Sequence, residues 1–177
     1  MLGFGGIFDS SALYFYRLKP LIMKQLFLLR HGEAGFSQGS DFQRQLTKKG
    51  RDSLDRMGKS LETTLKSVDL MYCSAARRTV ETAELIEKYI HIKDRIFTMD
   101  IYEGNVGSMI SLLENTAPDV ENCLFIGHNP TISLLLSHIS NENYIGLQPG
   151  MMAVIDLQVP EWKMLGLGTG TLKEIIQ

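Results

Sequence analysis

Two short apolar runs, each ending abruptly beside a histidine, constrain this chain of 177 residues more than any other feature. The first is Leu26-Phe27-Leu28-Leu29, preceded by Lys24 and Gln25 and followed by Arg30-His31-Gly32. A run of that length between polar flanks and a glycine reads as a buried strand that stops at the glycine. The second is Cys123-Leu124-Phe125-Ile126, followed by Gly127-His128-Asn129-Pro130. Open α/β sheets bind ligands in the crevice beyond the carboxyl ends of their strands, so both histidines are placed to share one site. A neutral imidazole nitrogen can attack phosphorus, and a guanidinium fork can bind phosphate oxygens. Two such units together point to phosphoryl chemistry on histidine.

Between the two units, strand and helix signals alternate. Thr47 offers an N-cap for a helix to about Lys66, with Leu54, Met57, Leu61 and Leu65 at steps of three and four. Val68 to Cys73 is a second strand, delivering Ser74, and a helix follows over about Ala76–Tyr89. A weaker strand is expected over Arg95–Met99, a helix over Val106–Glu114, and a further helix from Pro130 to about Ile139. The tail is read as two strands, Met151–Val159 and Trp162–Leu167, joined near Pro160-Glu161. This alternation predicts a three-layer α/β/α sandwich with a largely parallel central sheet, made mixed by the last hairpin.

A length of 177 residues suits one domain, and 44% hydrophobic with 21% charged residues suits a globular one. A net charge of −2 removes the basic excess that nucleic-acid binding needs, so an anionic ligand must be held by a local cluster of Arg and His. Cys73 and Cys123 both border apolar runs, without metal-ligand spacing, and read as buried thiols in a reducing compartment. Residues 1–22 are apolar but interrupted by Asp9, Arg17, Lys19 and Pro20. They have neither the length of a transmembrane helix nor the pattern of a signal peptide, and read as a poorly ordered or mis-started extension before a domain over 23–177.

Three polar pieces follow strands: Arg30-His31-Gly32, Ser74 with Arg77-Arg78-Thr79, and Gly127-His128-Asn129. Paired arginines at a helix start oppose the helix dipole, a cost that a bound phosphate would reverse. The combination resembles the histidine phosphatase superfamily with its phosphoglycerate mutase-like fold, and most closely the short phosphohistidine phosphatases of the SixA type. The motifs that carry it are Arg30-His31-Gly32-Glu33-Ala34, Arg44-Gln45-Leu46-Thr47-Lys48-Lys49-Gly50-Arg51, Ser74-Ala75-Ala76-Arg77-Arg78-Thr79 with Glu81-Thr82-Ala83, and Ile126-Gly127-His128-Asn129-Pro130. They extend from about residue 23 to 167.

The resemblance implies that His31 is the nucleophile that becomes phosphorylated. It implies that Arg30 and Arg78 clamp the phosphate and that His128 donates to a phosphate oxygen. Arg77 reads as peripheral. For His31 to attack, one ring nitrogen must be bare while the other donates to a fixed acceptor, for which a carbonyl near Gly32 is expected. Neither metal nor cofactor is implied. The mutase pattern is absent, since Ala34 and Ser37 stand where mutases carry Ser and Asn, and Ala75 replaces the usual proline.

A phosphate ester needs an acid to protonate its leaving alcohol, worth ~10²–10⁴-fold. Asp100, Glu103 and Glu114 are the candidates before the second histidine, and Glu103 is the one expected to face the crevice. A phosphohistidine can be protonated by water on its remote ring nitrogen and leaves as neutral imidazole, so it needs no such acid. The reading is therefore a metal-independent phosphatase, a cytoplasmic monomer, acting on phosphohistidine in a protein partner. The alternatives are a small-molecule phosphomonoesterase using Glu103, and a binding module for phosphorylated partners without turnover. His91 and His138 are read as non-catalytic, and Trp162 as a core or rim aromatic.

Overall fold

The structure of the protein, a computed structural model, describes residues 24–36 and 39–177. Its two histidine-bearing runs form strands because each feeds two separate cores. In β1 (Gln25–Arg30), Leu26 and Leu28 join one buried cluster while Phe27 and Leu29 join the other. In the fourth strand (Asn122–Gly127), Cys123 and Phe125 join the first cluster, and Leu124 and Ile126 the second. A strand buried on both faces has no polar face to alternate with, so it reads as an unbroken apolar run.

The remaining strands are β2 (Ser67–Ser74), β3 (His91–Thr98), β5 (Met152–Leu157) and β6 (Gly170–Ile176), with Asn122–Gly127 as β4. Their order in the sheet is β3-β2-β4-β1-β5-β6. The first four are mutually parallel, and β5 and β6 are antiparallel to their neighbours. Helices α1 (Lys48–Thr64) and α2 (Arg77–Ile86) cover one face, burying Leu54, Met57, Leu61, Ala83 and Ile86. Ile101 of the single turn α3 (Asp100–Glu103), with α4 (Val106–Glu114) and α5 (Thr131–Ser140), covers the other face. The expected α/β/α sandwich with a mixed sheet is the fold observed.

The chain leaves β1 toward the α1 face and leaves β4 toward the α5 face. These strands are neighbours, so a crevice opens between their carboxyl ends, where such sheets bind ligands.

Thr47 caps α1 as expected, its Oγ1 accepting from the Gly50 amide at 2.9 Å. Two expectations change. The last strand is Gly170–Ile176 rather than Trp162–Leu167; Trp162 lies in a 3₁₀ turn, is 1% exposed, and donates from its indole to the Val120 carbonyl at 2.8 Å. Burying the indole and satisfying its N–H outranks strand pairing there. The third strand begins at His91, earlier than Arg95, because it pairs with β2 from Ser67 onward; as the sheet edge, it carries exposed polar residues that hide the strand signal. His91 itself is exposed, as expected. The expected extension over 1–22 and the position of Ser37 lie outside the described residues.

Candidate active site

Register brings the two histidines together. Arg30 stands opposite Gly127 in the β1–β4 ladder, and the His31 amide continues it by donating to the Gly127 carbonyl at 3.2 Å. His31 and His128 therefore emerge side by side, with ring centroids 5.0 Å apart. On the other side of β1, the Gly150 amide donates to the carbonyls of Arg30 and His31, both at 3.1 Å. Gly150 makes that turn at φ +82°, a conformation costly for a residue with a Cβ.

His31 has a defined tautomer. Its Nδ1–H donates to the Gly32 carbonyl at 2.7 Å, and its Nε2 accepts from the Arg78 Nε–H at 3.2 Å. Nε2 is thus bare, as a nucleophile requires. The ring is 9% exposed, and its pKa is lowered to about 4. Burial is the main cause, aided by the charges of Arg78, Arg30 and Arg44; the Gly32 hydrogen bond opposes it. Thr82 holds the adjacent backbone, its Oγ1 accepting from the Gly32 amide at 3.1 Å.

His128 is lowered to about 3, by burial first and then by His31 and Arg78. Its Nε2 lies 2.8 Å from the Ser74 Oγ at the end of β2. Its Nδ1 and the Arg30 Nε are buried without a hydrogen-bond partner among the described residues. Arg30 is anchored by donating from Nη1 to the Leu147 carbonyl at 2.8 Å, which also accepts from the Asn129 side-chain Nδ2 at 2.9 Å.

Arg78, the second residue of α2, is 5% exposed and fully engaged. Besides His31, it donates from Nη1 to the Asp41 carbonyl oxygen at 2.7 Å and from Nη2 to the Asp41 carboxylate at 3.0 Å. Asp41 is anchored further by Arg44 Nη1 at 3.0 Å and the Tyr102 hydroxyl at 3.0 Å. Its pKa is lowered to about 2, with the Arg44 hydrogen bond as the largest cause. Arg44 also donates to the carbonyls of Gly35 and Ala34, at 2.9 and 3.2 Å, closing the loop after His31 on itself.

These residues line one cleft of about 370 Å³ that contains Arg30, His31, Arg78, His128, Asp41 and Arg44. The four expected phosphate-handling residues are thus brought together. Glu103 lies elsewhere: with Asp100, Ser108 and Asn115 it lines a separate cleft of about 380 Å³, and α3 presents Tyr102 to the histidine cleft instead. Arg77 is half exposed and paired with Glu81 at 2.8 Å, hence peripheral as expected. Among the described residues, no three His, Cys, Asp or Glu side chains are grouped to hold a metal ion.

Residues 26–119, more than half of the chain, match the profile of the histidine phosphatase superfamily (branch 1). The chain belongs to that superfamily. It is 32% identical over 82 residues to the mitochondrial serine/threonine-protein phosphatase PGAM5 of Xenopus laevis, a stretch covering 46% of this chain and 30% of that protein. The chain therefore spans less than a third of the length of that curated relative. The SixA protein of Nakamurella multipartitia superposes with a TM-score of 0.76 at 23% identity, covering 86% of this chain and 95% of its own. A protein histidine phosphatase SixA complexed with tungstate gives the same TM-score and identity, over 86% and 96%. A phosphoserine phosphatase of Entamoeba histolytica gives 0.60 at 15% identity, over 88% and 98%. At such identities, the likeness is one of fold.

Superfamily membership does not by itself explain Glu81, a buried carboxylate in the α2 motif. It accepts from the Leu46 amide at 3.0 Å and pairs with Arg51 at 2.8 Å, tying the loop that carries Asp41 to α2. Asp41 was missed by sequence reasoning. A lone aspartate in a polar loop carries no periodic signal, and only its spacing of three from Arg44 hinted at a pair.

Proposed function

We propose that this protein is a metal-independent phosphatase that works through a phosphorylated His31, with phosphohistidine on a protein partner as its substrate. The supporting observation is the state of the cleft's ionisable groups. His31 offers a bare, neutral Nε2 at physiological pH. Both carboxylates lining the cleft are kept ionised: Asp41 as described, and Glu33 by hydrogen bonds from Lys49 and Thr47. Neither can serve as the acid an alkoxide leaving group requires, whereas an imidazole departs without one.

The reaction runs in two in-line steps. With the substrate ring already protonated by solvent on its remote nitrogen, His31 Nε2 forms a bond to phosphorus as the bond to the ring's other nitrogen breaks; that nitrogen keeps the electron pair and the ring departs as neutral imidazole. Water then attacks phospho-His31, releasing phosphate and restoring the bare imidazole. Charge grows on the equatorial oxygens, so the work is mainly electrostatic and falls to Arg30, Arg78 and His128. The buried Nδ1 of that His128 and Nε of that Arg30 have no hydrogen-bond partner among the described residues and are nitrogens left to meet phosphoryl oxygens. Buried free thiols at Cys73 and Cys123 fit a reducing compartment such as the cytoplasm, and we take the acting unit to be a monomer.

Hydrolysis of a phosphohistidine peptide, compared with an alkyl phosphate, tests the reading. Turnover of the peptide with accumulation of acid-labile phosphoenzyme is expected. Preferred turnover of the alkyl ester would move the assignment to small-molecule phosphomonoesterases, and binding without turnover to a recognition module.

A further inference from the structure

We infer that the Asp41 carboxylate is a specificity-determining group that selects phosphorylated substrates whose leaving group is a protonated nitrogen ring. The inference rests on the proposed function and concerns the half of the cleft that receives the leaving group.

The geometry separates the two carboxylate oxygens. Oδ1 is held by Arg44, a neighbour on the same loop, at 3.0 Å. Oδ2 is shared by Arg78 at 3.0 Å and the Tyr102 hydroxyl at 3.0 Å. The same Arg78 touches the nucleophilic Nε2 of His31, so the carboxylate and the nucleophile share one guanidinium. When a phosphoryl group lies against His31, its oxygens draw the Arg78 fork toward themselves. Arg44 and Tyr102 still hold Asp41, and Oδ2 then has a lone pair facing the cleft.

A phosphohistidine ring protonated on its remote nitrogen is a cation with an N–H to donate. A fixed carboxylate stabilises that cation and so favours the protonated, reactive form of the substrate. As the P–N bond breaks, the pair of electrons returns to the leaving nitrogen. The ring departs as neutral imidazole, keeping its remote proton. The carboxylate takes no proton at any stage. An ester has neither the cation nor the N–H, and a leaving group bearing its own carboxylate is repelled. Free inorganic phosphate must also compete with Asp41 for Arg78, which limits inhibition by product. The cleft thereby prefers phosphoramidates without a general acid.

The test is Asp41→Asn, which retains the shape and removes the charge, with Asp41→Glu as the charge-retaining control. Hydrolysis of a phosphohistidine peptide and of p-nitrophenyl phosphate is measured on each, with inhibition by inorganic phosphate and vanadate. In Asp41→Asn, kcat/KM for the peptide should fall ~10-fold or more, the scale of one charge-assisted hydrogen bond. Turnover of p-nitrophenyl phosphate should fall by less than that of the peptide, because the Asp41 carbonyl oxygen still holds Arg78 Nη1. Phosphate and vanadate should inhibit more tightly by about tenfold, since a like charge has left the clamp. Asp41→Glu should recover part of the preference for the peptide. A parallel fall on both substrates, or an unchanged preference, would overturn the role of Asp41 while leaving the proposed function standing. Wild-type protein that does not hydrolyse the peptide at all overturns the proposed function, and this inference with it.

Discussion

The cleft has two halves built on different principles. His31, Arg30 and His128 stand on strand ends, held by the β1–β4 ladder and by the Gly150 amide, in a region where side chains are largely buried. Asp41 and Arg44 stand on the loop between β1 and α1, half exposed and held by ion pairs and hydrogen bonds to Arg78, Glu81 and Tyr102. The first half owes its geometry mainly to backbone pairing, which does not pass through the side chains of His31 or His128. The second owes it to charges that any single change disturbs. On the function proposed here, the chemistry falls to the sheet and the selection among substrates to the loop.

Removing the nucleophile should separate fold from function most sharply. His31→Ala should lower turnover by ~10⁴-fold or more, the scale for loss of a covalent nucleophile. The melting temperature should stay within a few degrees, because the backbone of His31 carries the ladder. A thermal melt beside a kinetic assay decides this; a collapse of the melt would mean that the strand-end half depends on its side chains.

Arg78 joins the halves, so its loss should strike both. Arg78→Ala should slow turnover ~10²–10³-fold, as for other preorganised donors at a reacting centre. It should also free Asp41, visible as an upward move of the Asp41 titration by NMR. An unchanged Asp41 titration would show that Arg44 and Tyr102 hold the loop alone.

Acid should attack the strand-end half first. His31 is lowered to about 4, so activity should persist down to about pH 5 and fall about tenfold per unit well below pH 4, as Nε2 takes a proton. Stability follows the same groups. In the unfolded chain histidine titrates near ~6.5, while folded His31 and His128 resist protonation until about 4 and about 3. The unfolded state thus binds more protons across this window, and stability must drop as pH falls from ~6.5 toward the folded values. Denaturant midpoints that do not shift between pH 7 and pH 4.5 would contradict the burial assigned to these rings.

Loosening the loop should cost less. Thr47 caps α1 through Gly50 and also donates to the Glu33 carboxylate at 2.9 Å. Thr47→Ala should reduce stability by ~1 kcal/mol, the usual value of a cap, measured by chemical denaturation. The smallest effect belongs to Glu103, on its separate cleft. Glu103→Gln should leave phosphohistidine turnover within about twofold, far below the ~10²-fold of a lost general acid. A large loss on alkyl esters together with efficient wild-type turnover of them would restore Glu103 to the chemistry.

Much of the strand-end half was readable in advance. Leu26 to Leu29 and Cys123 to Ile126 are unbroken apolar runs, and Arg30, His31 and His128 follow them directly. Arg78 was readable as part of an arginine pair at a helix start. That His31 needs a fixed acceptor followed from its chemistry; nothing in the sequence marks which group that is, and the fold supplies the Gly32 carbonyl, in the place expected. The loop half was not. Asp41 and Tyr102 are 61 residues apart, and nothing local marks either as a partner of Arg78. Glu103 was expected at the crevice as one of three acids before the second histidine, but on a single helical turn adjacent residues point to different sides, and Tyr102 takes that direction.

The sequence by itself determined the central strands β1 and β4 and the residue types at their ends, because hydrophobic runs and chain breakers act over a few residues; the last strand and the start of the edge strand needed their pairing partners. The tertiary structure decided that β4 lies between β1 and β2, which puts His31 beside His128, and that Asp41 rather than Glu103 enters the cleft. Those outcomes depend on sheet order and on ion pairs between distant segments, and both are settled only when the whole chain packs.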